Sequence, residues 1–270
     1  MRKAKLGAIT GVLFFALVAV ALALTNNTVS YNSTVTKGKN TKLGTNVAYE
    51  GILHVSTSDG KQPNTAPLNE VFFAKQIKNN AALFPSCKAS DIDGKSSVPA
   101  KCKKAVVGSG TASSLIGGPG YNPPPCTPPN CAIRQDLVVT AYNGNKGKQI
   151  LLAVTGGPVN NRVITGTLGT APAPFGYKVG FQVPPDLQEQ LGAQIALTDF
   201  DIKVGATKTA IKKIKVKGKK KKQKVKVSYL QLKSCPSSGT LPNRSIVHFN
   251  NDDNTPGGPV VQSDTTIPCK

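Results

Sequence analysis

One segment of the chain concentrates enough positive charge to bind anions. Ten of the fifteen residues from Lys212 to Lys226 are lysine. These candidate binding residues are Lys212, Lys213, Lys215, Lys217, Lys219, Lys220, Lys221, Lys222, Lys224 and Lys226. The tract has no arginine, whose planar guanidinium is suited to bidentate recognition of phosphates and bases. The tract therefore predicts salt-sensitive binding of polyanions, without sequence-specific recognition of nucleic acid.

Apolar residues alternate with lysine on both sides of the tract. They are Ile214, Val216, Val225, Val227 and Tyr229. This spacing predicts a hairpin over 211–229, with its turn at 218–223, an apolar underside and a lysine-covered outer face. Like charges that face each other destabilise a hairpin, although lysine side chains can splay apart. The alternative is that the lysines only protect an edge strand from aggregation, for which a few would suffice.

Nucleophilic catalysis has little support in the sequence. It needs a histidine beside a serine or a cysteine, and the chain has only two histidines, His54 and His248. Both occur in strand-like segments, where a partly buried structural histidine is the commoner arrangement. No G-x-S-x-G nucleophile motif is present.

Paired carboxylates supply a second hypothesis. Asp91 and Asp93 are two residues apart, as are Asp199 and Asp201, so each pair would share one strand face. Two carboxyl groups across a cleft can hydrolyse glycosidic bonds, and a secreted hydrolase of wall polysaccharide is therefore the alternative function. Solvated carboxylates on a strand or turn are the simpler interpretation. The lack of tryptophan, which commonly stacks on sugars, also weakens the hydrolase hypothesis.

Oxygen ligands cluster in 250–258, a segment that includes Asp252 and Asp253. The pattern differs from a calcium-binding EF-hand loop, and a polar turn is the preferred interpretation. The glycine-rich segments at 108–111 and 117–120 precede no predicted helix, so they lack the helix N-terminus that cradles phosphate. We therefore expect no catalytic residue, metal site or cofactor.

The cysteines indicate an exported protein. There are six, an even number, at Cys87, Cys102, Cys126, Cys131, Cys235 and Cys269. None of the spacings is C-x-x-C, which disfavours a zinc site. The sequence leaves several pairings open, and proximity favours Cys87–Cys102, Cys126–Cys131 and Cys235–Cys269.

The N-terminus predicts export as well. Three basic residues precede an apolar run from Leu6 to Leu24, and Ala21 to Ala23 form an A-x-A pattern. We interpret residues 1–23 as a signal peptide. The alternative is an uncleaved membrane anchor, because the apolar run approaches the length needed to cross a bilayer. The protein is therefore expected to be secreted or held at the cell surface.

Period-two alternation dominates residues 24–270, most clearly over 175–183. About ten short strands separated by Gly, Pro and Asn turns predict an all-β fold, an antiparallel, jelly-roll-like β-sandwich stapled by disulfides. Only 186–192 favours a helix, of two turns at most. The proline-rich stretch 117–130 is interpreted as a loop within a single domain.

Short motifs recur along the chain. They are Tyr49-Glu-Gly-Ile-Leu, Phe84-Pro-Ser-Cys87, 102–112, 138–144, Gly176-Tyr-Lys-Val, Leu197-Thr-Asp-Phe200, Ser228-Tyr-Leu230, Cys235-Pro236 and the late Cys269. With them the chain resembles a loose group of uncharacterised exported β-rich proteins of high-GC Gram-positive (actinobacterial) soil bacteria. The resemblance implies a signal peptide and the pairs Cys87–Cys102 and Cys235–Cys269, and no activity. The proline-rich insertion and the lysine tract depart from the pattern.

These patterns lead to one functional expectation. With 34 basic and 13 acidic residues, the chain carries a formal charge of +21. We expect a non-enzymatic, exported protein that associates with anionic wall polymers, acidic polysaccharide or an anionic lipid surface through the lysine-rich hairpin.

Overall fold

The computed structural model describes residues 26–41, 44–216 and 219–269. The strands are β1 (Asn27–Thr41), β2 (Gly44–Thr57), β3 (Leu68–Ala74), β4 (Ile77–Asn79), β5 (Val106–Gly117), β6 (Ile133–Gly144), β7 (Gln149–Gly156), β8 (Val159–Thr170), β9 (Phe175–Gln182), β10 (Glu189–Gln190), β11 (Ala193–Val204), β12 (Thr207–Val216), β13 (Lys219–Ser228), β14 (Leu230–Leu232), β15 (Thr240–His248) and β16 (Val260–Pro268). Helix in these residues comprises α1 (Ala100–Lys103) and single 3-10 turns at Ala81–Leu83, Ala89–Asp91, Asn145–Gly147 and Pro185–Leu187. The fold is therefore all-β with little helix, as predicted.

Most of the strands belong to one antiparallel sheet. Its order is β16–β15–β3–β9–β8–β7–β6–β5–β11–β2–β14–β4, with β1 paired to β2 and β10 to β11. The sheet curls until β1 packs alongside β16, where the backbone N–H of Tyr31 donates to Ser263 Oγ at 3.0 Å. The two halves of the sheet thus face each other across a common core, in the sandwich-like arrangement that the alternation predicts.

The main core lies on the inner face of this curled sheet. Alternate residues of each strand point inward, so that Tyr49, Leu53 and Val55 of β2 are buried. Aromatic side chains cluster at its centre, with Phe73 stacked on Tyr177 at 4.9 Å between ring centroids. The same inner face lines a partly open apolar cavity of about 180 Å³.

A second, smaller core covers the outer face of β6, β7 and β8. The excursion between β4 and β5 crosses that face and buries Ile92 against Tyr142, Leu151 and Val163. A disulfide between Cys87 and Cys102 lies within this cluster and closes the excursion. The excursion therefore contributes a separate apolar layer rather than a solvated loop.

All three disulfides predicted from proximity are confirmed. Cys87 pairs with Cys102, Cys126 with Cys131, and Cys235 with Cys269. Such bridges persist in oxidising compartments, so they indicate an extracellular environment. The Cys126–Cys131 bridge lies in the proline-rich loop, and the strands on either side of that loop, β5 and β6, pair with each other.

The predicted helix at 186–192 is wrong. Only Pro185–Leu187 forms a 3-10 turn, after which Glu189 and Gln190 form the short strand β10 against β11. The proline residues at 184 and 185 begin a turn as readily as a helix, and Gly192 then adopts a positive φ of 78°. Pairing with a neighbouring strand replaces the second helical turn.

The lysine-rich segment forms a two-stranded sheet of its own, in which β12 pairs with β13. The predicted hairpin is therefore present, but the predicted turn at 218–223 is wrong. Val216 already pairs with Lys219, so the connection comprises residues 217 and 218, which lie outside the described residues. Two-residue connections are the commonest in hairpins, and flexible lysine side chains do not force a wider one.

The signal peptide predicted for residues 1–23 also lies outside the described residues. Within the described ranges, no helix has both the length and the apolar character needed to cross a membrane.

Candidate polyanion-binding end of the sheet

The backbone register of the hairpin brings lysine positions together across its two strands. Lys213 lies opposite Lys222, and Lys215 lies opposite Lys220. Residues directly opposite in an antiparallel pair share one face, so these four positions stand on the same face as 224 and 226. That face therefore carries a ladder of six lysine positions, in which Ile211 lies opposite 224 and Thr209 lies opposite 226.

The other face is less apolar than predicted. Ile214 lies opposite Lys221, and Val216 lies opposite Lys219. The predicted apolar underside is therefore limited to the base of the hairpin, where Val227 is fully buried. In the outer half both faces carry lysine positions, because the turn is shorter than expected and changes which residues face each other.

The base of the hairpin is fixed to the sheet by buried polar contacts. Ser228 and Tyr229 are buried at the end of β13. The backbone N–H of Ser228 donates to Asn46 Oδ1 at 3.0 Å, and Asn80 Nδ2 donates to the Ser228 carbonyl at 3.0 Å. Buried hydrogen bonds of this kind hold a rigid geometry. The hairpin is therefore anchored at a defined place, although it projects from the sheet.

On the other strand of the hairpin, Lys208 provides a further anchor. Its ammonium nitrogen donates to the carbonyl of Leu83 and lies 5.6 Å from the centre of the Phe84 ring. Phe84 in turn packs edge-on against Tyr229, with 5.4 Å between ring centroids. This lysine contributes to structure, whereas Lys224 and Lys226 are exposed.

Other lysines lie at the end of the sheet from which the hairpin projects. This end, called the basic end below, is where β1, β6 and β11 finish and where β2, β5 and β7 begin. Exposed lysines near it, apart from the tract, are Lys37, Lys39, Lys75, Lys103, Lys104, Lys146, Lys148, Lys203 and Lys233. They come from many separate segments, so sequence proximity alone does not reveal the cluster.

Acidic residues are distributed differently. None occurs between Asp201 and Asp252, the interval that contains the hairpin. The connections at the opposite end of the sheet, called the acidic end below, contain Asp59, Asp186, Glu189, Asp252 and Asp253, all exposed, together with Lys61. Two further basic residues lie beside them, Arg162 at the start of β8 and Lys95 of the segment between β4 and β5. Charge is thus separated along the direction of the strands.

Comparison with protein-family models, with curated proteins and with solved structures finds no match to this chain. The resemblance to exported proteins of soil bacteria, which rests on short motifs, stays a prediction.

The two histidines lie on strands and pair with carboxylates. His54 Nδ1 is 2.8 Å from Asp199 Oδ1, and both side chains are about half exposed on the sheet surface. His248 Nε2 is 3.4 Å from Glu70 Oε2, and Lys178 also pairs with Glu70. Ser30 lies opposite His54 in the register of β1 and β2, on the exposed face of the sheet, but among the described residues no hydrogen bond joins its hydroxyl to the imidazole. His248 lies opposite Leu68 and Val260, so it has no hydroxyl or thiol directly across from it on either neighbouring strand.

The carboxylates of the 91/93 pair are engaged in separate ion pairs. Asp91 lies 2.9 Å from Lys101 Nζ, and the hydrogen bond from Lys101 lowers the pKa of Asp91. Asp93 binds Arg162 at 2.7 Å, and Arg162 also binds Asp186, whose pKa it lowers. A general acid needs a raised pKa, so these pairs suit structural roles.

Two further clusters have structural explanations. Asp91 lies close to the sulfurs of Cys87 and Cys102, but those cysteines are joined in a disulfide and offer no thiolate to a metal. In 250–258, Asp253 Oδ1 accepts hydrogen bonds from both the backbone N–H and the hydroxyl of Thr255. The latter segment is therefore the polar turn that the sequence favours.

Proposed function

We propose that this chain is an exported, non-enzymatic protein that associates with anionic polymers of the cell envelope through its basic end. The observation that carries this proposal is the separation of charge along the strands. Lysines from many segments converge on the end that bears the hairpin, while five of the seven exposed acids of the described residues lie in the connections at the other end. Edge protection would require a few lysines on one strand and would not account for this convergence.

The chemistry of lysine sets the mode of binding. Each lysine that contacts a phosphate or carboxylate releases a counterion, so affinity falls steeply as salt concentration rises. The register places Lys213 opposite Lys222 and Lys215 opposite Lys220, where a bound anion would offset the repulsion between like charges. A linear anionic wall polymer that lies along the ladder would do so at several positions at once.

A secreted wall hydrolase is less well supported. Three of its four candidate acids, Asp91, Asp93 and Asp199, are each engaged with a basic side chain, and the fourth, Asp201, lies half-buried on β11. The three disulfides support export, and the signal peptide at residues 1–23 is part of the proposal. Attachment at the cell surface would then result from binding to the polymer.

The test replaces Lys219, Lys220, Lys221 and Lys222 with glutamine. We expect weaker binding to a glycerol phosphate polymer, measured by titration at several salt concentrations. If all four lysines contact the polymer, the magnitude of the log–log salt slope falls by about 3. The thermal midpoint should hold or rise slightly, because the change relieves repulsion within β12–β13.

The matched control compares two double variants. Lys220→Gln with Lys222→Gln removes two charges from the hairpin, and Lys61→Gln with Lys95→Gln removes two charges away from it. Only the hairpin variant should reduce the salt slope. If all variants have the same salt slope, the lysine tract does not bind the polymer and serves only solubility and edge protection. Parallel titrations with polygalacturonate and phosphatidylglycerol vesicles identify which anionic source is preferred.

A further inference from the structure

The curled sheet surrounds a partly open cavity of about 180 Å³ whose lining is almost entirely apolar. Strands all around the sheet contribute to it, for example Leu53, Leu152, Val179 and Val247. Leu137, Phe181, Leu197 and Phe200 also line it and remain partly exposed. Protein interiors are normally packed to a density that leaves few voids larger than a water molecule, so an apolar space of this size is unusual.

Two residues in the cavity wall, Ser114 and Tyr177, have hydroxyl groups without a partner among the described residues, and the Tyr177 hydroxyl is the one carried on an aromatic ring. The hydroxyl oxygen of Tyr177 is buried and makes no hydrogen bond. Its ring is held in place by stacking on Phe73, with an interplanar angle of 11°. The neighbouring Tyr49 hydroxyl, by contrast, donates to Asn243 Oδ1 at 2.9 Å. Burial raises the pKa of Tyr177, so its hydroxyl keeps the proton and can donate it.

A buried hydroxyl without a partner is costly, and a bound molecule with an acceptor oxygen would remove that cost. The volume sets the size of such a molecule, because an engineered apolar cavity of about 150 Å³ in another protein binds benzene. The cavity here is slightly larger. It can therefore hold one aromatic ring, or an aliphatic group of similar size, together with a short substituent.

We propose that the cavity binds a small uncharged apolar molecule with one carbonyl or ether oxygen, which accepts a hydrogen bond from Tyr177 Oη. The apolar lining supplies most of the affinity, and the hydroxyl fixes the orientation of the ligand. This site is separate from the basic end, so it stands or falls independently of polymer binding.

The test uses acetophenone and cumene, which have nearly the same shape but differ in the carbonyl oxygen. Their affinities for the full chain are measured by isothermal titration calorimetry. Both should bind the wild-type chain. Tyr177→Phe keeps the stacked ring and removes the hydroxyl, so acetophenone affinity should fall about three- to tenfold while cumene affinity stays the same.

A second pair of variants tests the location. Ala112 lies in the cavity wall, and Ala112→Phe should fill the space and abolish binding of both compounds. Val138 is exposed on the neighbouring strand, and Val138→Phe adds a similar volume outside the cavity, so binding should be retained. Failure of both compounds to bind the wild-type chain, or an equal response of both to Tyr177→Phe, would overturn the proposal. The Tyr177→Phe comparison remains decisive if the Ala112→Phe chain does not fold.

Discussion

Replacing Asn143 with alanine should lower the free energy of unfolding by about 3 kcal/mol. The side chain is fully buried at the end of β6. Its amide nitrogen lies 3.0, 3.2 and 2.9 Å from the carbonyl oxygens of Ala81, Phe84 and Pro85. Its Oδ1 accepts a hydrogen bond from the Tyr229 hydroxyl at 3.2 Å. Alanine would leave these buried carbonyl and hydroxyl groups without a hydrogen-bond partner. The free-energy cost of burying an unpaired polar group exceeds the net contribution of a typical hydrogen bond to stability.

Urea unfolding of both chains, followed by far-UV circular dichroism, measures the difference. Asn32→Ala is the matched control, because Asn32 is an exposed amide on β1 and its loss should change stability by less than about 0.5 kcal/mol. Tyr229→Phe removes one of the contacts and should give an intermediate loss. Similar midpoints for Asn143→Ala and Asn32→Ala would mean that Asn143 does not hold the excursion between β4 and β5 in place.

Removing the Cys235–Cys269 bridge should destabilise the protein by about 4 kcal/mol, whereas removing Cys126–Cys131 should cost about 2 kcal/mol. The first bridge links residues 34 apart and the second links residues 5 apart, so the first constrains the unfolded chain more. Cys269 is also buried just after β16, the strand that completes the curl against β1. Double alanine variants keep both positions small and uncharged.

Thermal unfolding at matched pH ranks the two variants, and mass mapping without reduction confirms that the remaining bridges are intact. An equal loss of stability from both variants would contradict the dependence on loop length. A larger loss from the Cys126–Cys131 variant would show that the proline-rich loop supports the sheet more than its exposed position suggests.

Alternation made much of the fold predictable. Over β9, Phe175 and Val179 are buried as their spacing predicts. The first strand has a weaker pattern, since its inward positions include Ser33 beside Tyr31 and its sequence is rich in Thr and Asn. Side-chain pattern identifies a strand only when its buried face is apolar. Proximity in the sequence predicts the disulfides because each bridge joins two cysteines that are consecutive along the chain.

The site was only half predictable. The lysine tract is visible in the sequence, but its convergence with Lys75, Lys146 and Lys203 depends on strand order, which alternation does not determine. The cavity is hidden for a similar reason. Tyr177 and Phe181 have the spacing of core residues, and only the curvature of the sheet determines whether opposite walls meet or leave a space between them.

The separation of charge along the strands gives the molecule a permanent electric dipole. Near an anionic surface, the field would rotate the protein so that the hairpin leads and the acidic connections point away. Molecules bound in this way would share one orientation and present the loops that contain Asp186 and Asp252 to the surroundings. At low ionic strength the same dipole favours head-to-tail contact between neighbours, because the basic end of one molecule attracts the acidic end of the next.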